Sequence, residues 1–204
     1  MIDTVIFDVG GVLANYEQKT YFMHLGYSED MSEKLKKATM DHPAWKEYDR
    51  GVLTDEEVRN RFKKDAPELA KEIDASLMHM HGLVTRRDTS IPWIKSLKKK
   101  NIKVYILSNF AETALLDCAD ALDFRPYCDD CFFSCEHKVI KPDPAAFLTL
   151  FYLFHIDPCH AVFIDDTLPN IISARQFGLH GIHYQSQMQA EAELEKLLMM
   201  ENDD

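Results

Sequence analysis

Four short segments of the chain place a reactive side chain at the end of an apolar run or beside a loop. They supply a carboxylate, a hydroxyl with an amide, an ammonium and a pair of carboxylates. Such a set suits the transfer of a phosphoryl group, because that reaction depends on positioning and on charge stabilisation. In chain order the residues are Asp8, Ser108 with Asn109, Lys141, and Asp165 with Asp166.

The first of these segments has the pattern of a strand followed by a tight turn. The run Thr4-Val5-Ile6-Phe7 predicts a buried strand of a parallel sheet that ends at Asp8. Gly10 and Gly11 then allow the backbone to turn sharply and to approach a ligand. Ligands of open α/β sheets bind at the carboxyl ends of the strands. We therefore expect Asp8 to lie in a binding site.

Helical and strand patterns alternate after Ile91, which predicts an α/β fold with a parallel, Rossmann-like sheet and helices on both faces. Asp143 is the predicted N-cap of the helix over 144–154, and Pro144 is the first residue of that helix. The predicted elements are a helix over 91–100, strand 104–107, helix 112–122, strand 131–134, helix 144–154, strand 161–164, helix 169–177, strand 181–184 and helix 191–200.

Charged and apolar residues interleave at helical spacing in residues 16–83, which predicts a small all-helical cap inserted after the first strand. Ser28 and Thr54 are candidate N-caps, and Thr54 forms a capping box with Glu57. Gly26, Gly51 and Gly82 are placed between helices by this assignment. The predicted division is a core of residues 1–15 and 84–204 and a cap of residues 16–83.

Composition limits the classes of function. The chain has 204 residues, 46% of them hydrophobic, and 23 Lys and Arg against 34 Asp and Glu give a net charge of −11. This acidic balance predicts no nucleic-acid partner and no membrane association. The apolar stretch 147–154 is far shorter than the roughly 20 residues of a membrane span. No secretion signal is visible and the five cysteines are an odd number, so we expect a cytoplasmic protein with reduced thiols.

The order and spacing of the four segments resemble those of the haloacid-dehalogenase-like hydrolases, most of which are magnesium-dependent phosphatases. The resemblance spans nearly the whole chain, and Lys-Pro-Asp-Pro and Asp-Asp-x-x-x-Asn are its most specific parts. It implies a helical cap between the first and second motifs. It also implies Asp8 as the nucleophile, Ser108 and Lys141 as catalytic residues, and Asp165 and Asp166 as the acidic pair.

The resemblance further implies a magnesium site and a phosphate site. Asp8, the carbonyl of Gly10 and Asp166 would bind the metal directly, and Asp165 through water or outer contacts, with Asn170 orienting the acids. The phosphoryl oxygens would be held by Ser108, Asn109 and the backbone after Asp8, which includes Gly10 and Gly11, while Lys141 offsets charge. Asp8 would form an aspartyl-phosphate that water then hydrolyses.

One position departs from the family pattern. Phosphatases of the family usually carry a second aspartate two residues after the nucleophile, and this acid–base position is Gly10 here. Loss of a positioned acid or base costs on the order of 10² to 10⁴ in rate. Family members that hydrolyse sugar 1-phosphates look similar here, and an anomeric phosphate leaves more readily than that of an ordinary alcohol. A sugar phosphate is therefore the favoured substrate.

Residues of the predicted cap supply candidates for substrate recognition. Trp45 and Arg50 precede Gly51 and are suited to stacking on a sugar or base and to binding an anion. Core packing of Trp45 and a solvated Arg50 are an equally weighted alternative. A histidine of the cap is a further candidate for the missing acid, and His79 and His81 lie near the end of the cap.

Each motif also has a structural interpretation. Asp8 alone fits a solvated turn, Ser108-Asn109 an ordinary turn after a strand, and Lys141 a residue that only precedes a helix. Adjacent carboxylates such as those at 165 and 166 repel one another unless a cation or donors compensate. The cysteines Cys128, Cys131 and Cys135, with His137, have spacings that permit zinc binding, but packing is the favoured interpretation.

Three functional hypotheses remain open. The favoured one is a magnesium-dependent phosphomonoesterase that acts on a small phosphorylated metabolite and is a monomer or a weak homodimer. The second is a 2-haloacid dehalogenase, although those relatives usually carry a tyrosine at the position of Gly10 and use no metal. The third is a relative that binds ligands or partners without turnover.

Overall fold

The computed structural model describes residues 2–200, and its framework is a set of seven strands. They are β1 (Thr4–Phe7), β2 (Ala14–Tyr16), β3 (Val84–Arg86), β4 (Lys103–Ser108), β5 (Asp130–Phe133), β6 (Ala161–Asp165) and β7 (His180–His183). Five of them form one sheet in the order β5-β4-β1-β6-β7, and every neighbouring pair is parallel. The predicted α/β class with a parallel sheet is confirmed.

Helices cover both faces of this sheet and fill the segment between β2 and β3. They are α1 (Gln18–His24), α2 (Glu29–Ala38), α3 (Pro43–Asp49), α4 (Asp55–Asp65), α5 (Ala70–Leu77), α6 (Ser90–Lys99), α7 (Glu112–Asp117), α8 (Ser134–His137), α9 (Pro144–Phe154), α10 (Leu168–Arg175) and α11 (Gln187–Met200). None of these helices has the length and apolar character that crossing a membrane requires.

Alternate residues of β1 point to opposite faces of the sheet, as expected for a strand buried on both sides. Val5 and Phe7 belong to the larger hydrophobic cluster, where Phe7 contacts Trp93 of α6 edge-to-face. Ile6 belongs to a second cluster on the other face, together with Phe147 of α9. Every residue of β1 is buried, so the sheet fixes the position at which the strand ends.

Helices α1–α5 form the predicted helical insertion, and side chains stabilise several of their N-termini. Ser28 accepts a hydrogen bond from the Met31 N–H at the start of α2. Thr54 and Glu57 form a complete capping box at the start of α4. Each bond satisfies an N–H group that the helix itself leaves unpaired.

A two-stranded antiparallel ribbon, β2 with β3, flanks the helical insertion and was not predicted. Tyr16 is the last residue of β2 and pairs with Val84, the first residue of β3. Strands of three residues give no clear alternation, so periodicity could not detect them. The ribbon brings the chain into and out of the insertion at one place.

Several predicted boundaries differ from the observed ones. The predicted strand 131–134 lies at Asp130–Phe133, and Ser134 begins α8 instead. The predicted helix 112–122 is α-helical only over α7, after which a 3₁₀ turn covers Ala119–Leu122. The last helix begins at Gln187, earlier than predicted. Helix ends depend on capping and tertiary contacts, which periodicity does not report.

Candidate active site

The site is assembled where three adjacent parallel strands end. Phe7 of β1 pairs with Ile106 of β4 on one side and with Ile164 of β6 on the other. The next residue, Asp8, donates its backbone N–H to the carbonyl of Ile164. The residues that follow each strand therefore lie side by side at one edge of the sheet, as the sequence predicted.

Asp8 is buried, and three donors converge on one of its carboxylate oxygens. Its Oδ1 accepts from the Val9 N–H at 2.7 Å and from Ser108 Oγ at 2.8 Å, and it lies 2.8 Å from Lys141 Nζ. These contacts fix the orientation of the carboxylate and involve Oδ1 rather than Oδ2. Burial raises the pKa of Asp8 to about 7, while Lys141 lowers it and Asp165 raises it.

Lys141 joins two buried carboxylates. Its Nζ contacts Asp165 Oδ2 at 2.6 Å as well as Asp8, and the side chains of Lys141 and Asp165 are almost wholly shielded from solvent. The pKa of Lys141 is raised because the two carboxylates outweigh the effect of burial. Asp165 is also bound by the Thr167 N–H and by Asn170 Nδ2. The ammonium is therefore held in its charged form beside the predicted nucleophile.

Asn109 fixes the backbone of Lys141. Its Nδ2 donates to the Lys141 carbonyl at 2.9 Å, and its Oδ1 accepts from the Lys141 N–H at 2.8 Å. These two hydrogen bonds resemble the pairing of two residues on neighbouring strands. They connect the loop after β4 to the segment before α9. Both the oxygen and the nitrogen of the Asn109 amide bind the Lys141 backbone, so Asn109 positions Lys141. Asn109 also lines a cavity at this edge of the sheet.

Asp166 is the exposed member of the acidic pair and lies directly against Gly11. A Cβ atom at Gly11 would come within 2.1 Å of Asp166 Oδ2, and the backbone of Gly11 has φ +75°. A side chain at position 11 would therefore push the Asp166 carboxylate aside and strain the backbone. Partial burial and the neighbouring Asp165 raise the pKa of Asp166.

Gly10 has no side chain to act as an acid, and an aromatic ring lies over it. A Cβ atom at Gly10 would lie 3.4 Å from Tyr16 Cβ and 3.6 Å from atoms of the Tyr16 ring. Burial, followed by the charge of Asp49, raises the pKa of the Tyr16 phenol. Tyr16 thus takes part of the volume next to the position where related phosphatases carry their second aspartate.

A cavity of about 220 Å³ lies between the sheet edge and the helical insertion. Its floor is formed by polar groups that include Asp8, the Gly10 backbone, Ser108, Lys141 and Asp166. Its walls are mainly apolar and come from both parts of the chain. The wall residues are Tyr16, Trp45, Leu83, Val84, Phe110 and Ala114. The cavity can therefore hold a small molecule with one anionic end and a less polar remainder.

Trp45 and Arg50, the predicted substrate-binding residues of the insertion, differ in whether they line the cavity. Trp45 is buried and lines the cavity, and it also stacks on Phe62 at 6.2 Å. Both interpretations of Trp45, substrate contact and core packing, are thus compatible with its placement. Arg50 is not among the residues that line the cavity, and its Nη2 lies 3.7 Å from Glu47.

Besides Tyr16, the sequence did not predict two further polar residues that the structure places at the site. Asp49 lines the cavity from the end of α3, although its neighbours Trp45 and Arg50 were the chosen candidates. Arg87 stabilises the loop after the nucleophile, because its Nη1 donates to the carbonyls of Gly11 and Val12 at 2.8 Å each. The segment around Asp49 carried a signal in its aromatic and charged composition, but position 87 carried none.

The remaining cysteine and histidine candidates lie elsewhere. Among residues 2–200, the groups whose ligand atoms lie within 4.8 Å of one another are Asp8, Asp165 and Asp166, and His79, His81 and Asp117. His137 instead stacks on Phe132, at 4.0 Å between ring centroids. The packing interpretation of this cysteine segment is therefore favoured over a zinc site. His79 and His81 are exposed and do not line the cavity.

The donor atoms at the cavity floor suit a hard divalent cation. The cluster of Asp8, Asp165 and Asp166 offers carboxylate oxygens within 4.8 Å of one another, and Mg²⁺ prefers oxygen ligands. Asp165 is already bound to Lys141, Thr167 and Asn170, whereas Asp166 is exposed. The arrangement can therefore hold a metal ion on the outer side of the buried ion-pair network.

A comparison with protein families shows which family the chain belongs to. The family model for haloacid dehalogenase-like hydrolases matches residues 2–178. The chain belongs to this hydrolase family. The hydrolase is 25% identical over 197 residues to drimenol cyclase drtB of Aspergillus calidoustus, covering 95% of this chain but only 36% of that protein. It thus spans about a third of the length of this curated relative.

A second curated relative has a similar length to this hydrolase. It is the phosphorylated carbohydrates phosphatase of Thermotoga maritima, with 23% identity over 89% of this chain and 84% of that protein. By its name this relative is a phosphatase.

Solved structures share the fold. A variant of a HAD family enzyme from Bacteroides thetaiotaomicron, in complex with magnesium and inorganic phosphate, has a TM-score of 0.72 and 23% identity, covering 92% of this chain and 96% of that one. The L-2-haloacid dehalogenase of Xanthobacter autotrophicus has a TM-score of 0.68 and 17% identity, covering 96% and 83%. The fold is therefore shared with a dehalogenase and with an enzyme that binds magnesium and phosphate, and it does not by itself define the reaction.

Proposed function

We propose that the hydrolase is a magnesium-dependent phosphomonoesterase that acts on a small phosphorylated metabolite through an aspartyl-phosphate. The observation that carries this proposal is the buried contact of Asp8 with both Ser108 and Lys141, next to the exposed carboxylate of Asp166. A phosphate dianion repels a carboxylate nucleophile unless cations offset the charge. Lys141 supplies one cation, and the acidic cluster is the place for the second.

Each residue of the site has a role in this proposal. Asp8, the Gly10 carbonyl and Asp166 would hold the magnesium ion, which when bound neutralises charge on the phosphate. Asp165 would act from outside the ligand set, because its oxygens already bind Lys141, Thr167 and Asn170. Ser108 and Lys141 would bind phosphoryl oxygens and keep Asp8 aimed at phosphorus.

A sugar phosphate is the favoured substrate class. Trp45 and Tyr16 line the cavity and offer flat surfaces against which a sugar ring can pack. The name of the relative from Thermotoga maritima describes a phosphatase of phosphorylated carbohydrates. We further propose a cytoplasmic enzyme, since all five cysteines are free thiols and disulfides are rare in the cytosol.

A phosphate-release assay tests the proposal. The protein is incubated with phosphorylated sugars, nucleotides and a phosphorylated apolar alcohol, with and without magnesium, beside an Asp8→Asn variant. We expect release that requires magnesium and disappears in Asp8→Asn. Chloride release from a 2-haloacid without metal would instead favour the dehalogenase. No release from any substrate would favour a binding protein without turnover.

A further inference from the structure

We propose that Asp49, a residue of the helical insertion, supplies the acid–base function that Gly10 lacks. The inference rests on the proposed phosphatase function and adds to it the missing proton donor. Asp49 ends α3 and lines the same cavity as Asp8 and the Gly10 backbone. The acid is thus supplied from the helical insertion rather than from the loop after the nucleophile.

The position of Asp49 is fixed by contacts between the insertion and the core. Ser134 Oγ donates to the Asp49 carbonyl and accepts from the Phe110 N–H, which belongs to the loop after Ser108. Lys138 Nζ donates to the Gly51 carbonyl at 2.6 Å. These bonds use the backbone of the α3 C-terminus. The carboxyl group of Asp49 lies in the same cavity, where the Ala111 backbone and the Trp45 side chain interact with it.

The protonation state of Asp49 suits a general acid. Burial raises the pKa of Asp49 to about 8, although the Ala111 backbone and the Trp45 side chain lower it. The carboxyl is therefore largely protonated at neutral pH, and an acid is most effective when its pKa lies near the working pH. A neutral carboxyl also avoids repelling a phosphate dianion.

The other titratable groups that line the cavity fit this role less well. Tyr16 faces Asp49 from β2, and the pKa of its phenol is raised further from neutrality. Lys141 is held between two carboxylates. Asp8 is the proposed nucleophile and Asp166 a proposed metal ligand. Asp49 is the cavity-lining carboxyl for which the proposed phosphatase mechanism has no other use.

Asp49 would act as the acid in the first step and as the base in the second. An oxygen of Asp8 bonds to phosphorus while the bond from phosphorus to the ester oxygen breaks, and the leaving oxygen keeps the electron pair and takes the proton of Asp49. Water then attacks the aspartyl-phosphate. Asp49 takes one proton from this water as the hydroxyl bonds to phosphorus, and the Asp8 carboxylate leaves. The products are an alcohol and phosphate, and both aspartates return to their starting states.

The test compares two leaving groups in an Asp49→Asn variant. A sugar 6-phosphate has an alkoxide leaving group that needs a proton, whereas p-nitrophenyl phosphate releases a stable phenolate. We expect kcat/KM for the sugar phosphate to fall by on the order of 10² to 10⁴. For p-nitrophenyl phosphate, kcat/KM should change only a few-fold. Release of nitrophenol should begin with a burst and then slow, because hydrolysis of the aspartyl-phosphate also needs Asp49.

Controls separate this inference from the proposed function. Asp30→Asn makes the same change on α2, where the side chain is 78% exposed, and should leave both activities unchanged. Turnover of p-nitrophenyl phosphate by Asp49→Asn shows that the variant is folded. Equal loss with both esters, or no loss with either, would overturn the role of Asp49 while leaving the phosphatase intact. If the parent protein hydrolyses neither ester, the proposed function itself fails.

A pH profile provides a second readout. Sugar-phosphate turnover by the parent protein should decline as the pH rises through about 8, because Asp49 loses the proton it must donate. The Asp49→Asn variant should lack this alkaline limb, and Tyr16→Phe should retain it. The other charged groups that line the cavity, Asp8, Lys141 and Asp166, are common to both variants. Retention of the limb in Asp49→Asn would contradict the inference.

Discussion

Lys141 Nζ lies 2.6 Å from Asp165 Oδ2, and the side chains of both residues are almost entirely buried. Lys141 also contacts Asp8, so one ammonium compensates two carboxylates in the interior. The sequence offered a simpler explanation for Lys141, as a residue that only precedes a helix. Its burial in this ion-pair network favours a role in the site.

Replacement of Lys141 should affect both activity and stability. Lys141→Met leaves Asp8 and Asp165 buried without their cation, and removal of one partner from a buried pair costs about 3–5 kcal/mol. Turnover should fall by at least on the order of 10² to 10³. Because Lys141 lowers the pKa of Asp8, its loss raises that pKa further. Urea unfolding should therefore show a smaller destabilisation at about pH 5 than at about pH 8.

The matched control for this prediction is Lys34→Met. Lys34 pairs with Asp30 on the exposed surface of α2, and exposed pairs contribute about 0–1 kcal/mol. We expect little change in its unfolding free energy. Equal destabilisation of the two variants would contradict the interpretation of Lys141 as part of a buried network.

Replacement of Gly11 should impair the proposed metal site. A Cβ atom would come within 2.1 Å of Asp166 Oδ2, and φ of +75° strains any L-residue by about 1–2 kcal/mol. Gly11→Ala should displace the Asp166 carboxylate and weaken metal binding. Gly82→Ala shares the positive φ of +85° but meets no atom within 4 Å. Activity titrated against magnesium concentration should shift in Gly11→Ala and not in Gly82→Ala.

Magnesium should stabilise the folded protein. A ligand that binds only the native state contributes about 2.7 kcal/mol at a hundred times its Kd, so Tm should rise with magnesium concentration. Asp166→Asn should reduce this rise because it removes a proposed ligand. Asp88→Asn, at a side chain that is 95% exposed, should not. An unchanged magnesium response in Asp166→Asn would count against a metal site at the acidic cluster.

Asp49 should make stability depend on pH in a defined direction. Its pKa of about 8 in the folded protein is above the ordinary aspartate value of about 3.9. The folded state therefore holds a proton that the unfolded chain releases between these values, and stability falls as pH rises through this window. Asp49→Asn should gain stability relative to the parent at about pH 9, and the gain should shrink toward pH 5.

Thermal unfolding across this pH range measures the difference between the parent and the variant. Asp8 also has a raised pKa, but its contribution is present in both proteins. Asp30→Asn is again the control, because it makes the same substitution at an exposed position on α2. A constant difference between Asp49→Asn and the parent at every pH would show that Asp49 does not titrate in this range.

Much of the candidate site followed from the sequence. Apolar runs predict parallel strands, and the carboxyl ends of adjacent parallel strands meet at one edge of the sheet. Asp8, Ser108 and Asp165 could therefore be expected together before any coordinates were available. Gly11 was identified as a turn residue, and the structure adds the reason that Asp166 fills the space of its missing side chain.

The sequence did not predict which side chains of the helical insertion point toward the cavity. Trp45 and Asp49 are four residues apart and share one face of α3, whereas Arg50 lies about 100° further around the helix. The contact of Ser134 with the Asp49 carbonyl connects the end of α3 to the core. That contact joins residues 85 positions apart in the chain. Local periodicity contains no information about such a docking.

The amino-acid sequence by itself determined the parallel sheet, the helical insertion and the chemical groups at the strand ends. These depend on hydrophobic period, capping and turn residues, all of which are local. Only the tertiary structure decided that Tyr16 covers Gly10, that Arg87 binds the loop after Asp8 and that Asp49 enters the cavity. Those relationships depend on how distant surfaces pack, which is a property of the whole folded chain.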